Sequence, residues 1–143
     1  MTVYLLDTNV VSELRRPRPH PAVVQWIGSV RGGEMFVSVV TVGEIQAGIE
    51  RTREQDSDKA AELEAWLAQM VASHEIVPMD IAAFREWGRI RHRRSDTLLV
   101  DAMIAATAKV RGLTVATRNV ADFRALGVEG LDPFADPVIP ERP

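Results

Sequence analysis

Along the chain, short unbroken apolar runs alternate with longer stretches in which apolar residues recur every three or four positions. The first run, 3–6, predicts a strand ending on the carboxylate of Asp7. The segment 15–21 (RRPRPHP) reads as a loop, because proline supplies no amide donor to a helix. Val23, Trp26, Ile27 and Val30 predict a helix over 22–30, broken by Gly32-Gly33, and 35–40 reads as a second buried strand. Helices follow over 41–53 and 59–73, the latter with Leu63, Trp66, Leu67 and Met70 on one face. A brief strand at 75–79 is stopped by Pro78 and Asp80. Phe84, Trp87 and Ile90 mark an amphipathic helix over 81–92, and an Ala-rich helix over 98–110 closes at Gly112, a C′ glycine. Strands are expected at 113–117 and 128–131, and from Asp132 onward four prolines imply an extended tail. The expected organisation is one domain over 1–134 and a Pro-rich tail over 135–143.

Strands alternating with helices of ten to fifteen residues predict an α/β domain with a mainly parallel sheet. In such sheets ligands bind at the carboxyl ends of the strands, where the strand order reverses. Composition narrows the chemistry. With no cysteine among 143 residues, a disulfide scaffold, a thiolate nucleophile and Cys-based zinc or iron–sulfur sites are excluded. A chain of this length buries roughly two-thirds of its unfolded surface, enough for one full core. The net charge of −3 argues against a wrapper of nucleic acid that works by bulk positive charge. All but two of the 17 cations are arginine, the exceptions being Lys59 and Lys109. The opening six residues have no basic lead and Asp7 interrupts them, so neither a secretory leader nor a membrane span is expected and the cytoplasm is the expected location.

Three acids fall at or soon after predicted strand ends: Asp7 directly after the first, Glu44 after the second across Thr41-Val42-Gly43, and Asp101 near the start of the Ala-rich helix. Nothing local links them, so only the fold could bring them together. Carboxylates gathered in one place repel, and a hard divalent cation such as Mg²⁺ or Mn²⁺ is the partner that relieves them. Such an ion with open positions suits phosphoryl chemistry. Each acid also has a local reading. Thr41-x-x-Glu44 fits a capping box, Asp101 complements a helix dipole, and Asp7 caps a helix starting at Thr8-Asn9. His20, His74 and His92 are scattered and lack the spacing of a zinc helix.

The wording of the motifs is more specific than their chemistry. Leu5-Leu6-Asp7-Thr8-Asn9-Val10, Val37-Ser38-Val39-Val40-Thr41-Val42-Gly43-Glu44, Asp101-Ala102-Met103-Ile104-Ala105-Ala106-Thr107-Ala108 and Leu113-Thr114-Val115-Ala116-Thr117-Arg118-Asn119 resemble the PIN-domain family in its bacterial VapC toxin branch. They come in the family's order across nearly the whole chain, and the R-R-P-R-P loop and T-V-A-T-R run resemble the FitB-like subgroup. The resemblance implies a three-layer α/β/α domain around a mostly parallel sheet of four or five strands. It implies an Mg²⁺-dependent endoribonuclease (Mn²⁺ being the alternative metal), the toxin of a type II toxin–antitoxin pair. A homodimer, a cognate antitoxin and an RNA substrate come with it. Asp7 and Asp101 would be metal ligands, and Glu44 a ligand or water-positioner. The family's fourth, often acidic position is Asn119 here; Asp122 either compensates or caps the turn at 121–123. Thr117 would border the site and Arg118 would touch RNA, while Thr8 and Asn9 would fix the loop.

Arg85, Arg89, Arg91, Arg93 and Arg94 form the densest basic stretch, either a phosphate grip or a solvated helix face. Asp96 reads as an N-cap, and Trp26, Trp66 and Trp87 as packing residues. Two other classes compete: a phosphoacceptor domain, which wants paired acids at the first strand where this chain has only Asp7, and a binding module without catalysis.

Overall fold

A computed structural model describes residues 2–92, 94 and 98–135. Arg93, Asp96 and most of the expected tail lie outside these residues. The chain runs β1 (Tyr4–Leu6), α1 (Thr8–Glu13), α2 (Pro21–Ser29), β2 (Met35–Ser38), α3 (Val39–Arg53), α4 (Ser57–Ser73), β3 (Glu75–Val77), α5 (Ile81–Arg91), α6 (Leu99–Arg111), β4 (Thr114–Ala116), α7 (Val120–Ala125) and β5 (Gly130–Leu131).

The strands form one sheet in the order β3-β2-β1-β4-β5, and every pairing is parallel. The order reverses between β1 and β4. Successive strand residues face opposite sides, and the two faces bury different layers. Leu5 and Val115 pack with Ile90 of α5, the alanines of α6 and Phe123 of α7. Leu6, Val37 and Ala116 pack on the other side with Val10, Val23, Ile49, Leu67 and Met70 from α1 to α4. This is the expected three-layer α/β/α arrangement, with its sheet at the upper end of the expected strand count.

Alanine at 102, 105, 106 and 108 lets the α6 backbone lie close against the sheet, all four being buried. Gly112 then takes a left-handed φ of 67°, and Leu113 N–H donates to Ala108 O at 2.9 Å, a Schellman closure that turns the chain into β4. The three tryptophans are partly buried against the two cores, as their spacing predicts. Among the described residues no helix is long and apolar enough to cross a membrane.

Boundaries shift where caps override apolar patterning. The strand expected over 35–40 stops at Ser38, whose hydroxyl accepts from Val40 N at 3.0 Å and starts α3 at Val39. Pro21, expected in a loop, is the first residue of α2, where a missing N–H costs nothing, and His20 Nδ1 caps that helix by accepting from Ala22 N. The turn expected at 121–123 is the helix α7, and the strands expected at 75–79 and 128–131 shrink to Glu75–Val77 and Gly130–Leu131.

Candidate active site

The carboxyl ends of β1 and β4 flank the point where the strand order reverses, and Asp7 stands there. Asp7 leaves β1 with its backbone N–H donating to Ala116 O at 2.9 Å, which ties it to the end of β4. Its side chain is buried, with 4% exposure, among dedicated donors. Oδ1 accepts from Thr8 N at 2.8 Å, and Oδ2 accepts from Thr117 Oγ1 at 2.8 Å and Asn9 Nδ2 at 3.3 Å. The expected cap is therefore present, and it belongs to a larger network. A carboxylate offers about four lone-pair sites, so three bonds leave room for a further partner. Burial pushes the Asp7 carboxyl above its usual range and Glu44 adds to this, against the opposing bonds from Thr117 and Thr8.

The early start of α3 overturns the capping box at Thr41-x-x-Glu44. Ser38 is the cap, so Thr41 sits inside the helix and is fully buried. Glu44, half-buried one turn further on, is freed from the backbone and turns toward α1. Its Oε1 accepts from Thr8 Oγ1 at 2.6 Å, and Thr8 Oγ1 also stands 3.0 Å from Thr41 Oγ1. Thr8 thus spans the crevice: its amide holds Asp7 and its hydroxyl holds Glu44. Sequence reasoning assigned Thr8 to the loop alone. The only signal for more was its place beside the strand-end acid.

Asp101 lies in the first turn of α6, whose N-cap, Leu98, makes no side-chain cap bond. Burial, then the charges of Asp7, Glu44 and Asp122 in that order, push its carboxyl up to about 6. Asp7, Glu44 and Asp122 on α7 thus all act on Asp101, and Glu44 acts on Asp7 as well. Asn119 is exposed and makes no side-chain cap bond, while its backbone N donates to Thr117 Oγ1 at 2.9 Å. Thr117 is fully buried between Asp7 and that amide. Asn9 closes the ring by accepting from Arg118 N at 3.3 Å.

The donor set is all oxygen, with carboxylates whose mutual repulsion a cation would relieve, which suits a hard divalent ion. Among the described residues no three His, Cys, Asp or Glu groups close into a ready-made cage. Magnesium does not require one, because it keeps several waters and takes one or two carboxylates directly. The residues present fit such an ion.

The arginines divide. On α5, Arg89 pairs with Glu86 at 2.8 Å and Arg91 lies 4.6 Å from the ring centre of Trp87. Arg94 donates to the carbonyls of Ile90 and Ala125. These three arginines are engaged within α5 or, through Arg94, with α7. Arg118, which follows Thr117, lies over Phe134 with 3.8 Å from its guanidinium carbon to the ring centre, and His20 meets the same ring edge-on at 5.8 Å. Nothing in the sequence around Phe134 announces that contact.

The model of the PIN domain family matches residues 4–128. Toxin FitB of Neisseria gonorrhoeae is 34% identical over 139 residues, covering 92% of this chain and 99% of that protein. VapC ribonuclease Y4jK of Sinorhizobium fredii is 32% identical, covering 91% and 96%. The crystal structure of FitAcB from Neisseria gonorrhoeae has a TM-score of 0.81 at 34% identity, over 92% of this chain and 99% of that one.

Proposed function

This chain belongs to the PIN domain family, and from that premise we propose that it is a divalent-metal-dependent endoribonuclease, the toxin of a toxin–antitoxin pair. The observation that supports this reading most is the linkage of Asp7 to Glu44 through Thr8 at the carboxyl edge of a parallel sheet, with the charges of both, and of Asp122, acting on Asp101. Relatives named as a toxin and as a VapC ribonuclease support the same reading.

Asp7 and Asp101 would hold Mg²⁺ or Mn²⁺, with Glu44 completing the pocket. When bound, the ion supplies a Lewis acid for the scissile phosphate, a lower pKa for the attacking water and a partner for the leaving oxygen. Glu44, aimed by Thr8, orients that water or takes its proton. Asp7 is the fixed side of the site because three donors and the end of β4 hold it. Thr117 borders the pocket as the donor that orients Asp7. Asn119 keeps an oxygen without a charge, and Asp122 supplies the fourth acid. Arg118, with one face of its guanidinium covered by Phe134, offers the other face and its edge to RNA.

A cognate antitoxin would cancel the excess negative charge by placing a basic side chain among these acids. The working form is a cytoplasmic homodimer released from that complex. The test is cleavage of cellular RNA by purified protein in Mg²⁺. Asp7→Asn and Asp101→Asn should each abolish cleavage while the chain stays folded by circular dichroism. Full activity in either variant, or in excess chelator, would sink the reading.

A further inference from the structure

A groove of about 260 Å³ opens between α1 and α3, and Thr8 and Glu44 form part of its wall. It therefore shares Glu44, and Thr8 that holds Asp7, with the candidate site. Arg15, just beyond α1, and Arg51, in the last turn of α3, also line it. Among the described residues neither guanidinium has an ion-pair partner, and several acids of the neighbouring turns are held by other arginines. Glu13 is taken by Arg16, and Glu50 and Glu64 by Arg53.

Residues 44, 48 and 52 stack along one side of α3 at intervals of about 6 Å. Gly48, in the middle, leaves that stripe open. A Cβ there would meet only Arg51 Nη2, at 3.6 Å, so the Arg51 guanidinium folds back over Gly48 along the groove. The result is a channel that begins at an acid of the site and carries two unpaired, fork-shaped cations away from it.

We propose that this groove holds the backbone of the RNA strand on one side of the scissile bond, with Arg15 and Arg51 each neutralising one phosphate. The proposal rests on the endoribonuclease reading. A polymer cut internally must leave the site in two directions, and this channel starts where Glu44 ends. Arginine grips a phosphate bidentately and without regard to sequence, which suits a path rather than a reader of bases. An acidic peptide is the competing occupant, and the test separates the two.

Wild type, Arg15→Ala/Arg51→Ala and Gly48→Glu, which sets a carboxylate beside Arg51, are titrated against a fluorescent 15-nucleotide single-stranded RNA of random sequence and against a fluorescent Asp/Glu decapeptide. Lys109→Ala, on α6 at the opposite face of the sheet, is the control. Both groove variants should weaken RNA binding by roughly tenfold or more at low salt. The double variant should also flatten the dependence of log K on log salt by about 1.4, two lost phosphate contacts at about 0.7 each for a single strand. Unchanged affinity and slope in both variants, beside a wild type that cleaves RNA, overturn the groove assignment alone. Loss of decapeptide binding with RNA binding intact overturns it in favour of a protein partner. A wild type that neither binds nor cleaves RNA in Mg²⁺ overturns the endoribonuclease reading and this inference together.

Discussion

Replacing Asp101 by Asn separates the two roles that a carboxylate in the first turn of α6 can have. A residue there that served only the helix dipole would stabilise the fold by about 0.3–1 kcal/mol, and its neutral variant would be the weaker protein. The structure predicts the opposite. Burial and the charges of Asp7, Glu44 and Asp122 raise the Asp101 carboxyl from 3.8 to about 6. At 1.36 kcal/mol per unit that is a ceiling of roughly 3 kcal/mol. Solvent reaches part of the half-buried side chain, and screening reduces the figure to about 1–2 kcal/mol.

The sign follows from proton linkage. The folded pKa lies above the unfolded one, so the folded chain binds the extra proton between them. That stability is complete below about pH 4 and is lost as pH rises through about 6. Asn never carries the charge. In chelator, Asp101→Asn should be more stable than wild type at pH 7.5 by about 1–2 kcal/mol, or several degrees in Tm for a chain of this size. The gap should widen between pH 4 and 6 and then stay level. Thermal and urea denaturation across pH 4–8 measure it. Added Mg²⁺ should then raise the Tm of wild type more than that of the variant, because binding to the folded state alone stabilises by mass action. A variant less stable at pH 7.5, or a gap that ignores pH, would refute the reasoning.

Thr117→Val keeps the shape but removes the donor to buried Asp7. It should cost about 1–3 kcal/mol in urea denaturation and raise the Asp7 pKa further in a carboxyl NMR titration. Thr8→Val should leave the fold standing while cleavage falls by about 10²-fold, the scale of general-base catalysis. The Thr8→Val/Glu44→Gln double variant should then be no slower than Glu44→Gln alone, since both act through one carboxylate. Asp122→Asn should bring the Asp101 titration down toward the ordinary aspartate range, and an unmoved midpoint would remove Asp122 from the group.

The parts of this fold legible in the sequence were those carried by periodicity and by strand-end acids. Alternating elements predicted the parallel sheet, and Asp7 and Glu44 drew attention by their position after strands, Asp101 by its place at the start of an Ala-rich helix. Misreadings arose where a single hydrogen bond outranks an apolar pattern. Val39 and Val40 read as strand because both are β-branched, yet the Ser38 hydroxyl starts a helix beneath them. That two-residue shift buried Thr41, dissolved the capping box and turned Glu44 toward Thr8. Contacts between distant segments had no local signature at all. The contact of Arg118 with Phe134, and the pairing of Glu86 with Lys109, depend on where the fold brings unrelated residues together.

The two acids that flank the switch point differ in how they are held, and this difference divides their work. Three protein donors fix Asp7, while no donor among the described residues points at Asp101. The fold has therefore satisfied one carboxylate and left the other facing like charges. Relaxing Asp101 with a neighbouring arginine would stabilise the chain, yet the nearest basic stretch is spent on Trp87, Glu86 and backbone carbonyls instead. An acid kept unpaired beside three others is a standing demand for a cation from outside the chain. Under the proposed function a divalent ion would meet it, and the same demand would suit a basic side chain from an antitoxin. Occupancy of one site by either would make inhibition and catalysis mutually exclusive, with no conformational change required.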